Sequence, residues 1–303
     1  MAIVLADHQY GKAECRLVRV VRDEPRHELR DLTVTTTLRG AFDAAYLDGD
    51  QSAVLPTDSQ KNTAYAFARA SGVGSPEQFG LALARHFVAD VAPVSGARVE
   101  VEEHAWDRVS AGGAEHDHTW VRRGPEVRTA AVTVDADGEH VVSGLKDLVV
   151  LKSTGSEFAG FLRDGYTTLP ETHDRVMATS LVARWRYAGG GRTVPDDVPW
   201  DAVHASVRAV LLREFATLHS LALQQTLWHM GRAVLDEHPA LAEIRLVAPN
   251  KHHLLVDLEP FGLDNPGEVF VATDRPYGLI QATVTRDDAP GAGSAWDAGA
   301  GLA

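Results

Sequence analysis

Residues 31–39 read Asp31-Leu32-Thr33-Val34-Thr35-Thr36-Thr37-Leu38-Arg39. Side chains alternate across an extended chain, so Leu32, Val34, Thr36 and Leu38 share one face and Thr33, Thr35 and Thr37 the other. One apolar face and one wet face mark an antiparallel sheet rather than a parallel sheet buried on both sides. The pattern recurs at Val99 and Val101 against Glu100 and Glu102, and at Ala130, Val132 and Val134. It recurs again at Leu181, Ala183, Trp185 and Tyr187 against Arg184 and Arg186, and at Ile280, Ala282 and Val284 against Gln281, Thr283 and Thr285.

Helices are fewer. Ser75-Pro76-Glu77-Gln78 reads as an N-cap, a proline at the first helical position and a capping-box glutamine, followed by the stripe Phe79, Leu83, Phe87. A second helix is predicted from Trp200, with Val203, Val207, Val210, Leu211 and Phe215 on one face, and a third from about Gln224 to Glu237, ahead of Pro239. A fourth is predicted to start at Thr57-Asp58, with Tyr65 and Phe67 partly inward. The chain then reads as two similar strand–strand–helix–helix–strand–strand units, residues 1–138 and 139–286, joined near Asp137-Gly138. Residues 287–303, rich in Gly, Ala and Asp, read as a disordered tail. The class is α+β: an antiparallel sheet with helices packed on one face. Such a sheet has edges to protect, which closure through oligomerisation would do.

Composition narrows the function. The 303 residues are 45% hydrophobic and 23% charged, enough apolar surface to offset ordering entropy. The balance of 29 basic against 42 acidic residues gives a net charge of −13, which argues against a binder of nucleic-acid phosphates. No apolar run approaches the length of a membrane helix. The single cysteine, Cys15, excludes an intramolecular disulfide and any multi-cysteine metal cluster. With no export signal and no Ser-Lys-Leu ending, the expected location is the cytoplasm. There is no G-x-S-x-G elbow or P-loop, and Gly189-Gly190-Gly191 reads as a turn, so a nucleotide cofactor is disfavoured. His116-Asp117-His118 reads as a polar hairpin loop, because glycines flank it and helical metal-ligand spacing is missing.

Three segments carry chemistry. Tyr10-Gly11-Lys12 delivers a lysine ahead of a strand; Pro56-Thr57-Asp58 opens a helix whose unpaired N–H groups can receive an anion; Asn250-Lys251-His252 sets an amide and an imidazole two apart on one face of an extended strand. Together with Leu148-Val149-Val150-Leu151-Lys152-Ser153-Thr154-Gly155-Ser156-Glu157-Phe158, and with Tyr166-Thr167-Thr168-Leu169 through Asp174-Arg175, these motifs resemble the urate oxidase (uricase) family. The likeness runs in order over residues ~10–285.

The resemblance implies two tandem tunnelling-fold units per chain, with barrels completed in a homotetramer whose active sites lie at subunit interfaces. It implies oxidation of urate by O₂ and water to 5-hydroxyisourate and hydrogen peroxide, with no metal or organic cofactor. By that likeness Lys12, Thr57 and His252 form a proton relay. Arg175 and Gln224 grip the purine edges, Phe158 stacks on its face, and the main chain at Leu223 adds a donor. Thr57 and Asp58 hold the imidazole side, and Asn250 holds O₂ and then water. One subunit would supply Lys12, Thr57 and Asp58, and its neighbour Phe158, Arg175 and Gln224. The competing readings are a metal-dependent tunnelling-fold hydrolase of a purine or pterin using His116 and His118, and a catalytically silent purine-binding homologue.

Overall fold

Ten strands and five helices build the chain, whose computed structural model describes residues 1–189, 193–273 and 275–298. In chain order they are β1 (Tyr10–Val21), β2 (Glu28–Gly40), α1 (Asp43–Leu47), α2 (Thr57–Ala70), α3 (Pro76–Asp90), β3 (Val94–Ala111), β4 (Ala114–Asp135) and β5 (Gly138–Lys152). They continue with β6 (Met177–Tyr187), α4 (Trp200–Thr217), α5 (Leu223–Glu237), β7 (Leu241–Lys251), β8 (His253–Leu255), β9 (Phe270–Ala272) and β10 (Gly278–Thr285). Eight strands form one antiparallel sheet in the order β1-β2-β3-β4-β5-β6-β7-β10, and β8 pairs with β9 alone. Of the glycine turn expected at 189–191, Gly190 and Gly191 lie outside the described residues.

The alternation in residues 32–38 does what it promises. Leu32, Val34, Thr36 and Leu38 are buried, with Phe79, Leu83 and Phe87 of α3 in the same core cluster, which Val99 and Val132 complete. A second cluster gathers Leu145, Leu181, Trp185, Val207, Leu211, Leu227, Val234 and Ile244 under α4 and α5. Each fully buried aliphatic side chain contributes about 1.5–3 kcal/mol. The box at the start of α3 is formed: Gln78 N–H donates to Ser75 Oγ at 3.2 Å and Ser75 N–H to Gln78 Oε1 at 3.1 Å. In α2 the inward face is Gln60, Ala64 and Ala68, with Phe67 packed against the core; Tyr65, expected partly inward, is exposed because it lies off that helical stripe. The turn before β4 is Gly112-Gly113, so His116, Asp117 and His118 stand in the strand itself rather than in a loop.

The C-terminal segment departs from expectation. Residues 287–298 are not a loose tail; they form a strap across the helix-free face, with a 3-10 turn at Gly293–Trp296. Arg186 Nη2 donates to Pro290 O (2.8 Å), Ser294 Oγ to Asp135 Oδ2 (2.6 Å) and Arg98 Nη1 to Ala295 O (3.3 Å). Arg39 pairs with Asp297 at 2.7 Å, and the Arg245 guanidinium lies 3.8 Å from the Trp296 ring centroid. The low hydrophobicity of the segment hid this, because its anchors are arginines supplied by the sheet. Residues 299–303 of the expected tail lie outside the described residues.

One buried group gives a pH prediction. His204 of α4 sits against Trp185, its ring centroid 5.7 Å away, and its Nε2 is buried without a hydrogen-bond partner. Burial, aided by the positive charge of Arg128, pushes its pKa from 6.5 down to about 3. The unfolded chain therefore binds a proton that the folded chain refuses between those values, and stability falls as pH drops below 6.5. For this one group the slope approaches about 1.4 kcal/mol per pH unit. His204→Gln should unfold with a shallower dependence between pH 6 and pH 4, measured by urea titration. An unchanged slope would contradict the assignment.

Candidate active site

The residues flagged in the sequence fall into two groups. The first is built by β1 and α2. A bulge shifts the β1–β2 register between Lys12 and Cys15, with Glu14 at φ 54°. Lys12 thereby pairs with Thr36 and Cys15 with Val34, so both lie on the face that β2 turns to the helices. Without the bulge, residues three apart would point to opposite faces. Lys12 is half-buried there, close enough to α2 for its charge to help hold the Asp58 carboxyl below its ordinary pKa; hydrogen bonding from Lys61 is the larger cause.

Thr57 is the first residue of α2, after Pro56, and no side chain caps this end. Gln60 N–H already bonds Pro56 O at 3.2 Å, so the N–H groups of Thr57, Asp58 and Ser59, ahead of it, take no intrahelical bond and are free for a ligand. The half-buried Thr57 hydroxyl stands beside them, while the exposed Asp58 carboxylate takes Lys61 and Asn62.

The second group is built by the segment between β5 and β6, by the start of α5 and by the end of β7. Phe158 exchanges backbone hydrogen bonds with Thr172 (2.8 and 3.0 Å), and Arg175 N–H donates to Ser156 O at 2.9 Å. A parallel bridge from Ser156 to Ser220 then ties this segment to the residues just before α5. Within this frame the Arg175 guanidinium carbon lies 5.4 Å from the Phe158 ring centroid. Arg175 has a buried Nε with no hydrogen-bond partner, and burial alone lowers its pKa. A buried cation without a carboxylate beside it is expensive unless an anion or polar ligand completes it.

Helix α5 repeats the device of α2. Ala222 stands at its N-cap with no side-chain bond, and Thr226 N–H donates to Ala222 O, so the N–H groups of buried Leu223, exposed Gln224 and half-buried Gln225 take no intrahelical bond. Asn250, 9% exposed, lies near the end of β7 between Thr179 of β6 and Gly278 of β10. His252 occupies the break between β7 and β8, where its carbonyl accepts from Thr273 N–H at 2.8 Å.

The two groups do not meet within one chain. Lys12 is on β1 and Asn250 on β7, six strand spacings away along the sheet, a separation of roughly 29 Å. Neither of the two principal cavities is lined by any of the flagged residues; the larger, about 380 Å³, lies on the helix-free face around Arg98, Glu100 and Arg184.

The family model described as Uricase matches residues 8–133 and 141–281. The chain belongs to the uricase family.

A uricase of Arthrobacter globiformis is 54% identical over 285 residues, covering 94% of this chain and 91% of its own. One of Aspergillus flavus is 37% identical over 288 residues, covering 92% and 95%. The crystal structure of the Arthrobacter globiformis uricase superposes with a TM-score of 0.89 at 52% identity, covering 96% and 98%. That of a uricase from Bacillus fastidious gives 0.80 at 27% identity, covering 94% and 95%. The fold is accordingly the α+β tunnelling fold of uricase structures, as the resemblance implied.

Other features of this uricase-family chain escaped the sequence reading. Phe161 stacks on Phe158 with centroids 4.8 Å apart and planes at 15°. Glu157 accepts from His219 (2.6 Å) and pairs with His173 (3.4 Å); these histidines, His219 first, hold its carboxyl below the ordinary carboxylate range. No spacing rule connects residues 157, 173 and 219; the bridge between Ser156 and Ser220 brings His219 to Glu157, and the bridge between Phe158 and Thr172 brings His173. His116 and His118 lie at the start of β4, with the His118 ring 5.7 Å from that of His27 and tilted against it. Among the described residues no group of three or more His, Cys, Asp or Glu is arranged to hold a metal ion. Nor, among them, is any helix long and apolar enough to cross a membrane.

Proposed function

We propose that the chain oxidises urate with O₂ and water to 5-hydroxyisourate and hydrogen peroxide, without a resident metal or organic cofactor. The observation that carries this reading is Arg175: a half-buried guanidinium near the Phe158 ring, with an unpartnered Nε and no ion pair to a carboxylate among the described residues. A planar anion offering a carbonyl and a ring nitrogen suits a guanidinium fork. An aromatic ring beside it suits the purine face. Gln224 and the main-chain N–H of Leu223 would take the opposite edge.

Proton handling falls to Lys12, Thr57 and His252. Thr57 is a weak base alone, so Lys12 beside it takes the proton that draws urate toward its dianion, and His252 carries it onward. The electron-rich dianion is the form that yields an electron to O₂. Asn250 holds O₂ and then the water that completes the product. The reaction balances: urate, O₂ and water give the hydroxylated product and peroxide.

In this reading the chain consists of two tunnelling-fold units, residues 1–138 and 139–286. It is supported by the order β1-β2-α2-α3-β3-β4 and then β5-β6-α4-α5-β7-β10. Barrels close in a homotetramer, and the half-site of Lys12, Thr57 and Asp58 meets the Phe158, Arg175, Gln224, Asn250 and His252 half-site of a neighbouring subunit. The roughly 29 Å between the halves within one chain supports that.

Complementation tests it. Assayed with urate well below KM, Lys12→Met and Arg175→Ala proteins are each expected to be nearly inactive, and co-refolding the two should restore activity in about a quarter of the sites, those that pair two intact halves. No recovery from mixed, assembled protein would place both halves in one chain and contradict the proposal.

A further inference from the structure

We propose that Gln60 is a positioning residue for the Lys12–Thr57 pair, acting through its hydrogen bond to Thr36. The inference rests on the reading of Lys12 and Thr57 as the proton-handling pair. Gln60 is 0% exposed and Thr36 is 1% exposed, and Thr36 Oγ1 donates to Gln60 Oε1 at 2.8 Å. Thr36 is the β2 residue in register with Lys12, and Gln60 lies three residues after Thr57 on α2. Residues three apart share a helix face, so the face that begins at Thr57 carries Gln60 onto the strand pair that carries Lys12.

Further along α2, Ala64 and Ala68 pack into the core with Leu32 and Val34. Apolar packing tolerates small sliding, whereas a hydrogen bond of 2.8 Å between two buried groups has one register. The Thr36–Gln60 bond therefore fixes how far along β1 the N-terminus of α2 sits. That placement sets the Thr57 hydroxyl and its neighbouring N–H groups against Lys12.

Gln60 carries a cost that core packing does not explain. Its amide nitrogen is buried with no hydrogen-bond partner among the described residues. An unmade buried amide bond costs about 1–3 kcal/mol, which a leucine or methionine at this position would avoid. A group serving stability alone would be apolar here, so the amide is kept for the alignment it gives.

Steady-state kinetics with urate on assembled protein, well below its Tm, distinguish alignment from packing. Gln60→Met and Thr36→Val should each lower kcat about 10- to 100-fold while KM changes by less than about threefold, because misplacing a proton acceptor by an ångström has that scale of effect. Both should also shift the pH profile of kcat. Thr36→Ser, which keeps the hydroxyl, should stay within about threefold of the parent protein. A purely structural role would lower Tm and leave kcat and its pH profile unchanged in both variants, and that result overturns the proposal. If Gln60→Met does not fold, Thr36→Val carries the same test, since valine keeps the branched shape and removes the hydroxyl. The parent protein and Lys12→Met are measured alongside. A parent that leaves urate intact overturns the functional reading and this inference with it. An active parent and a silent Lys12→Met, with unchanged Gln60 and Thr36 variants, overturn this inference alone.

Discussion

Lys12→Met should lower kcat about 10²- to 10⁴-fold with KM for urate changed far less, the range for removing a positioned proton acceptor. The methionine keeps the length of the stem and loses only the ammonium end, so the β1 bulge and the packing around Cys15 should survive. Lys12 touches no core ion pair; the influence seen from it is on Asp58 and, with Lys61, on the Cys15 thiol. A stability change is therefore not expected, and thermal unfolding should coincide with that of the parent. Urate binding should persist, because Arg175, Gln224 and Phe158 of the other half-site, and the Thr57 and Asp58 N–H groups beside Lys12, are left intact. A variant with near-normal kcat would remove Lys12 from the relay.

Arg175→Ala should act on the other kinetic constant. Losing a half-buried charge-assisted contact to an anionic ring costs about 2–4 kcal/mol in transition-state binding, or about 30- to 900-fold in kcat/KM. Most of the loss should appear in KM, since the guanidinium holds substrate before and during reaction. The apo protein should be no less stable, because Arg175 has an orphaned Nε and no carboxylate to leave behind. This separates it from structural arginines such as Arg186, whose buried pair with Glu243 at 2.9 Å would be broken by truncation. Normal kcat/KM, or a large drop in Tm, would assign Arg175 to the scaffold.

Local signals were legible before the structure; distant partners were not. The alternation at Leu32–Leu38 and the box at Ser75–Gln78 depend on residues within a few positions, and both stand as read. The helix starting at Thr57-Asp58 was visible, but that no side chain caps its first turn was not. The bulge that turns Lys12 toward the helices had no signal. Its left-handed residue is Glu14, a type that rarely adopts that conformation. The strap at 287–298 was hidden because Arg39, Arg98, Arg186 and Arg245 hold it from far away in sequence. Phe158 and Arg175 meet through a loop with neither helical nor strand period, so only the ordered motifs singled them out. Gln60 lies two residues beyond the Pro56-Thr57-Asp58 motif, and its partner Thr36 is known only once α2 is seen packed on β2.

The most direct measurement is aerobic incubation of chelator-treated protein with urate, following ultraviolet loss of urate, O₂ uptake and peroxide together. Equal consumption of urate and O₂ with matching peroxide, undiminished by the chelator, is the predicted result. Urate loss without O₂ uptake, or activity that returns only on adding a metal ion, would contradict the account.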